Sequence, residues 1–463
     1  MSINLRRLQE ISLQPSSPPP ILTKHKGLPI VGILPELLAN SPLQTLSDIM
    51  VCDGGFVELQ LGTKSVYLVS DPAIFRHVLR DNYRNYPKPD LLYGTLKKVA
   101  KNGLVTSEGD FWLRQRRMIQ PHFHRRQLAN IAGTMTESIG TILDGWQSYA
   151  ATGQPFDLGI QMSHITMNVI TRTMFGQGIS TTELETVARL VPDMLNYVTM
   201  RGFMPFVPDW IPLPVDRKFK RNYAEFRALV QSLIDRRRQK PGSDLISMLL
   251  NSVDDETNEQ MTDDQLFDEA ITIFAAGFET TSITLTWLWY ILDQHPEITD
   301  MMRQEISSVL GQRTPTMEDV SRLPYITMVI SECLRMFPPI PLLPRNSIND
   351  DNIGESKIPA NATILLFYYG LHHNPRIWEA PEEFRPERFL PDTESTRSTF
   401  AWLPFSAGPR KCVGDEFAMM EAIIATTMIL QRFEITVTQK DIVPRFGATL
   451  RPSKPLLGVV RKR

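Results

Sequence analysis

One short stretch, residues 404–416, sets Phe405, Gly408, Arg410, Cys412 and Gly414 at fixed intervals around a single sulfur. Arg410 and Lys411 precede the cysteine directly, and a helix-like run begins near Val413. Adjacent cations and the positive end of a following helix dipole both favour thiolate over thiol. Gly408 lets the backbone turn tightly under a flat ligand, and Gly414 lets the next helix approach without a side chain between. Read as buried, electropositive and unpaired, Cys412 suits one soft metal, and a haem iron fits the flat glycine surface. The competing reading is a structural cysteine in a turn.

A second group with chemical content is Ala276, Gly277, Phe278, Glu279, Thr280 and Thr281, within a long apolar run. Glycine in a helix interior costs about 1 kcal/mol relative to alanine, so Gly277 needs a local purpose; room for dioxygen above a haem is one. Thr280 offers a hydroxyl and Glu279 a carboxyl, an alcohol–acid pair suited to delivering protons during O–O cleavage. The competing reading is a threonine bonded back to its own helix beside a snorkelling glutamate. Alone, six residues do not decide between them.

Taken together, the Cys412 loop and the 276–281 segment resemble the haem-ligand loop and the oxygen-activation segment of the cytochrome P-450 family. The resemblance covers residues 28–455 and is to a soluble, bacterial-type form carrying long-chain, microsomal-like motifs. It implies haem b held by Cys412 as the metal ligand, with Thr280 and Glu279 as catalytic residues. Phe405, Gly414, Ala276 and Gly277 would lie around the cofactor. Trp112 and Arg116, four apart and so on one helix face, resemble the propionate-binding pair, and Arg345 and Arg410 occupy the family's other propionate positions. A surface-loop role is the alternative for Arg345. Glu332 and Arg335, three apart, with Arg388 resemble the family's structural triad.

The activity so implied is monooxygenation: one atom of O2 enters a lipophilic substrate such as a fatty acid or terpenoid. The chain holds no flavin, nicotinamide or iron–sulfur motif, so NAD(P)H would act only indirectly, through a ferredoxin or flavodoxin with its reductase. Arg114, Arg117, Arg125, Arg126, Lys97, Lys98 and Lys411 form a candidate basic docking patch for it, against a merely solvated basic face. A peroxide-dependent or isomerising haem-thiolate enzyme and a non-catalytic haem sensor are the rival functions. By the same resemblance Leu91–Val105, Ile271, Phe274, Ala275, Ile340–Leu343 and Phe446–Leu450 wall the pocket. The aromatic, methionine- and proline-rich segment 199–214 reads as a mobile lid, with transient membrane contact as its other role.

The elements that must position these residues are mostly helical. Apolar periodicity predicts helices over 72–80, 110–119, 125–149, 160–175, 182–200, 216–238, 263–294, 297–309, 324–336 and 415–432. Alternation predicts a hairpin of 56–61 with 65–70, and 362–368 reads as another strand. This is a mainly α protein with a small β region (α+β), one large haem domain over 28–463 following a polar, proline-rich segment 1–27. Residues 270–292 are apolar enough to suggest a membrane span, but Glu279 sits mid-run among hydroxyls, so a buried central helix is expected. With 463 residues, net charge −2 and three scattered cysteines, nucleic acid and a disulfide framework are excluded as themes, and a cytoplasmic setting follows.

Overall fold

The hairpin forms where alternation places it, with Phe56 opposite Val69 and Leu61 opposite Lys64. The computed structural model describes residues 20–176, 179–202, 210–211 and 213–463. Their contacts gather into two compact units: one of residues 1–87, 342–383 and 390–411, the other of 88–341, 384–389 and 412–463.

The first unit is built on a five-stranded sheet of β1 (Thr23–Lys24), β2 (Phe56–Leu61), β3 (Lys64–Val69), β4 (Leu343–Asn346) and β5 (Thr363–Leu366). The spatial order is β1-β2-β3-β5-β4, with β1–β2 and β3–β5 parallel and the other pairs antiparallel. Its buried face joins Phe56, Tyr67 and Val69 to Ile364, Leu366 and Phe75 in one hydrophobic cluster. The helix expected over 72–80 starts at Pro72, capped by Asp71 Oδ1 accepting from Ala73 and Ile74 amides, and continues from His77 to Asp81 as a wider π turn.

The second unit is helical around Asp263–Gln294, whose bounds match the sequence reading. Its start is fixed by a capping box: Thr262 Oγ1 accepts from the Gln265 amide and Gln265 Oε1 from the Thr262 amide. Most of its side chains are buried, as an all-round apolar helix requires, against Leu158–Phe175, Pro214–Gln239, Pro324–Met336 and Asp415–Arg432. Near its end Trp287 stacks on Phe337 at 4.1 Å while its Nε1 donates to Leu450 O. No helix among the described residues is long and apolar enough to cross a membrane. The chain is 58% helical with small sheets, as the α+β reading expected. Pro15, Pro18 and Pro19 of the proline segment, and residues 203–209 and Pro212 of the lid, lie outside the described residues.

Candidate active site

Cys412 opens the second unit's last segment, three residues before the helix Asp415–Arg432. Cys412 is exposed on the protein chain itself, and Cys333 is the buried thiol. The difference has a physical logic. A sulfur that binds an external metal must be presented, whereas burial pushes the Cys333 thiol up and holds it protonated. Arg116 is the cation whose field meets Cys412, together with that of Asp415; desolvation is the larger influence on it and depresses its ordinary value. Arg116 lies on Gly109–Ile119, one turn after the buried Trp112, and its Nε donates to Gln120 Oε1 at 2.8 Å. Trp112 and Arg116 therefore share a face, as the spacing predicted. The helix N-terminus behind Cys412 is also lined by Asp415 and Glu416, which share its dipole with the sulfur.

In the first unit, Gly408 has φ +69°, and a Cβ there would lie 2.0 Å from the Leu79 carbonyl oxygen. The glycine thus makes the tight turn expected, but what it admits is the Leu79 backbone. Arg410 ends the 3₁₀ turn Gly408–Arg410, half-buried like Phe405. Arg345 is 5% exposed on β4 and its Nη1 donates to Pro344 O at 2.8 Å, so the surface-loop alternative is excluded. At Gly414, a Cβ would meet nothing nearer than the Phe123 ring at 4.0 Å.

On the central helix, residues 270–274 and 281–289 are buried, yet Ala276 is exposed and Thr280 half-exposed. One turn apart, they open a single face in a helix that is otherwise packed. Thr280 Oγ1 donates to Ala276 O at 2.8 Å. Glu279 points elsewhere: its Oε1 accepts from Thr449 Oγ1 at 2.8 Å and Arg451 Nη2 at 2.6 Å. Adjacent helical residues diverge by about 100°, so the alcohol–acid pair of the sequence is not a pair in space. Gly277 needs correction too. A Cβ there would stand 3.1 Å from Ile170 Cδ1, so its role is close approach of the helix Leu158–Phe175 rather than space for dioxygen. Phe274 and Ile271, expected as pocket wall, are core; Phe274 packs at 5.4 Å on Phe175 and 5.9 Å on Phe226.

The triad assembles as expected. Glu332 and Arg335 are both fully buried, Arg335 Nε and Nη2 donate to the two carboxylate oxygens at 2.7 and 2.9 Å, and Arg388 Nε reaches Oε1 at 3.2 Å. The basic patch does not hold as drawn. Arg114 pairs with Glu259, Arg117 with Asp254 and Glu256, and Lys97 with Asp90, so three of its cations are neutralised locally.

Sequence reasoning missed an acid pair at the start of the same helix. Asp268 Oδ2 accepts from the Asn102 amide at 3.1 Å and Glu269 Oε2 from the Leu104 amide at 3.0 Å, clasping the loop 101–107. Two adjacent acids bordering an apolar run were the available signal. Burial pushes Asp268 up to about 6 and Glu269 up to about 8, outweighing the amide bonds that favour their charged forms. Both folded values exceed the unfolded ones. The folded chain therefore keeps protons the unfolded chain has lost, and stability falls as pH rises from the ordinary carboxyl range through about 8. Glu269→Gln keeps an acceptor for Leu104 without a charge, so its thermal midpoint should decline less than the parent's between about pH 6 and about pH 9. Parallel slopes for the two proteins would contradict this.

A family model described as Cytochrome P450 matches residues 22–458. A cyclooctatin synthase of Streptomyces melanosporofaciens is 32% identical over 92% of this chain and 91% of its own length. From the same organism, a cyclooctat-9-en-7-ol 5-monooxygenase is 31% identical, again over 92% and 91%. The crystal structure of the cytochrome P450DA heme domain superimposes with a TM-score of 0.83 at 25% identity, covering 96% of this chain and 98% of that one.

Proposed function

The chain belongs to the cytochrome P450 family and is a monooxygenase of it; from that premise we propose that it hydroxylates a terpenoid hydrocarbon framework. The observation that carries the reading is the open Ala276–Thr280 face on an otherwise buried helix, in the same unit as an exposed thiol. The terpenoid class is supported by the oxygenating relatives and by the apolar character of the segments around the site.

These residues fit a haem. Cys412 offers an exposed sulfur, Arg116 a half-buried guanidinium for a propionate, and Ala276 a methyl-sized surface on the helix. When bound, haem supplies the activation of dioxygen. The chain then has three tasks. Trp112 and Arg116, which share a helix face in the second unit, would orient the cofactor's carboxylates. With its own proton donated to Ala276 O, Thr280 Oγ1 presents acceptor lone pairs on the open face, where it can take a hydrogen bond and pass its proton on by rotating. Glu279, tied to the half-exposed Arg451, forms the solvent end of proton supply, connecting to Thr280 through water rather than directly. Electrons come from a ferredoxin or flavodoxin with its NAD(P)H-dependent reductase. Three cysteines scattered along the sequence suit a reducing, cytoplasmic setting.

Thr280→Ala tests the proton assignment. It removes one back-bonded hydroxyl, worth about 1 kcal/mol to the fold, but should lower product formation about tenfold or more while oxygen uptake continues. Unchanged product per oxygen consumed would overturn the assignment.

A further inference from the structure

The acid pair that clasps the loop 101–107 lies in line with the open face of the central helix. Glu269, Thr272, Ala276 and Thr280 recur at i, i+3, i+7 and i+11, so they fall within about 80° of one another around its axis. One stripe of the helix therefore has two parts. Ala276 and Thr280 leave its later turns open, while the loop covers its earlier turns, where Glu269 is 1% and Thr272 4% exposed. From Thr272 to Ala276 is four residues, about 6 Å of helical rise, so the cover ends where the open face begins.

The attachment of the loop decides what can move it. Gly103 lies directly on the helix: a Cβ there would stand 1.9 Å from Thr272 Oγ1 and 2.7 Å from Asp268 O. On either side of it, the Asn102 amide donates to Asp268 and the Leu104 amide to Glu269. Within the loop, Thr106 Oγ1 lies 2.7 Å from Lys101 O and 3.0 Å from Gly103 O, and the Thr106 and Ser107 amides both donate to Gly103 O at 2.9 Å. Lys88 Nζ tethers its later half at Val105 O, 2.6 Å away. So braced, the loop can swing as one piece. Two features load its closed position. Lys101, where the helix Asp90–Ala100 ends, has φ +43° and ψ −113°, a strained backbone for a lysine. Glu269 Oε1 and Thr272 Oγ1, both buried, have no hydrogen-bond partner among the described residues, and opening to water would supply one.

Charge supplies the trigger. Asp268 is the charged group that faces Glu269. Around Asp268 stand Asp264 on the same helix, Lys101 on the loop, and Arg227 and Tyr223 on Pro214–Gln239, with Arg227 paired to Asp264. In the closed position, ionising Glu269 would bury a second negative charge beside Asp268 with one amide to meet it. In the open position Glu269 is an ordinary solvated carboxyl. The open form therefore gains on the closed one as pH rises, by up to about tenfold per unit. We propose that Lys101–Ser107 is a proton-released latch: it closes the end of the open face while Glu269 holds its proton, and swings clear when that proton leaves to water, lengthening the face along which substrate enters. The latch stands on the clasp alone, whereas its effect on entry rests on the reading of the Ala276–Thr280 face as the haem site.

The test is hydrogen–deuterium exchange of the full-length, substrate-free holoprotein from about pH 6 to about pH 9, corrected for the intrinsic pH dependence of exchange. Association of a lipophilic azole, followed in the haem spectrum, is measured alongside. In the parent, protection of the 102–107 amides is expected to fall about tenfold or more over this range while the β2–β3 hairpin holds, and azole association should quicken. Glu269→Gln, which keeps an acceptor and cannot ionise, should show neither change. Gly103→Ala, whose methyl would strike Thr272, should leave the loop unprotected at every pH. Protection of 102–107 that stays flat in the parent, or falls alike in parent and Glu269→Gln, would overturn the latch. A loop that opens with no change in azole association would leave the latch standing and overturn the entry role that rests on the site reading.

Discussion

Replacing Glu332 by alanine is expected to leave little folded, haem-binding protein. The carboxylate is fully buried and accepts from Arg335 through two bonds, from Arg388, and from the Arg385 amide at 2.9 Å. Alanine would strand the buried Arg335 guanidinium without its counter-charge. Breaking a buried pair by removing one partner costs about 3–5 kcal/mol, against about 5–15 kcal/mol for the whole fold. The loss should show as a thermal midpoint lowered by many degrees and as poor haem retention. Glu332→Gln, which still accepts from Arg385, should fall between. A midpoint for Glu332→Ala within about a degree of the parent would show that the cluster does not hold this part of the fold.

Cys412→Ser should have the opposite signature: nearly normal stability and no activity. The side chain is exposed, so the change in fold stability should stay within about 0.5 kcal/mol. Serine offers a hard, neutral hydroxyl where a soft thiolate is required, so the thiolate haem spectrum and substrate-dependent oxygen uptake should both disappear. The same change at buried Cys333 should do the reverse, disturbing packing while leaving the spectrum intact. Product formation by Cys412→Ser at a tenth of the parent rate or better would remove Cys412 from the site.

Much of this was legible locally. The central helix, Pro324–Met336 and Asp415–Arg432 were read with the bounds they have, because each carries a strong apolar period between clear stops. The helix Asp90–Ala100 was missed as a helix and read only as apolar wall, Gly94 and its β-branched neighbours blurring its period. The strands Phe433–Val437 and Leu457–Lys462 were missed because their identity lies in pairing with each other and with Phe156–Asp157, far apart in the chain. The four-residue spacing of Trp112 and Arg116 did put both on one helix, and Glu332, Arg335 and Arg388 do meet. What spacing did not show was direction. Glu279 turns to Thr449 and Arg451, some 170 residues downstream, and nothing near residue 279 encodes that choice. Likewise Gly277 was read for the space it opens, when its absent side chain faces Ile170.

The most decisive experiment supplies the holoprotein with ferredoxin, reductase and NAD(P)H under isotopically labelled dioxygen, and presents cyclic terpene hydrocarbons beside a straight-chain fatty acid. One labelled oxygen atom in a hydroxylated terpene is expected, with little fatty-acid product. Label arriving from water, or turnover with peroxide that the electron-transfer chain cannot match, would contradict monooxygenation by this site; labelled fatty acid in place of terpene would leave the chemistry standing and overturn the substrate class.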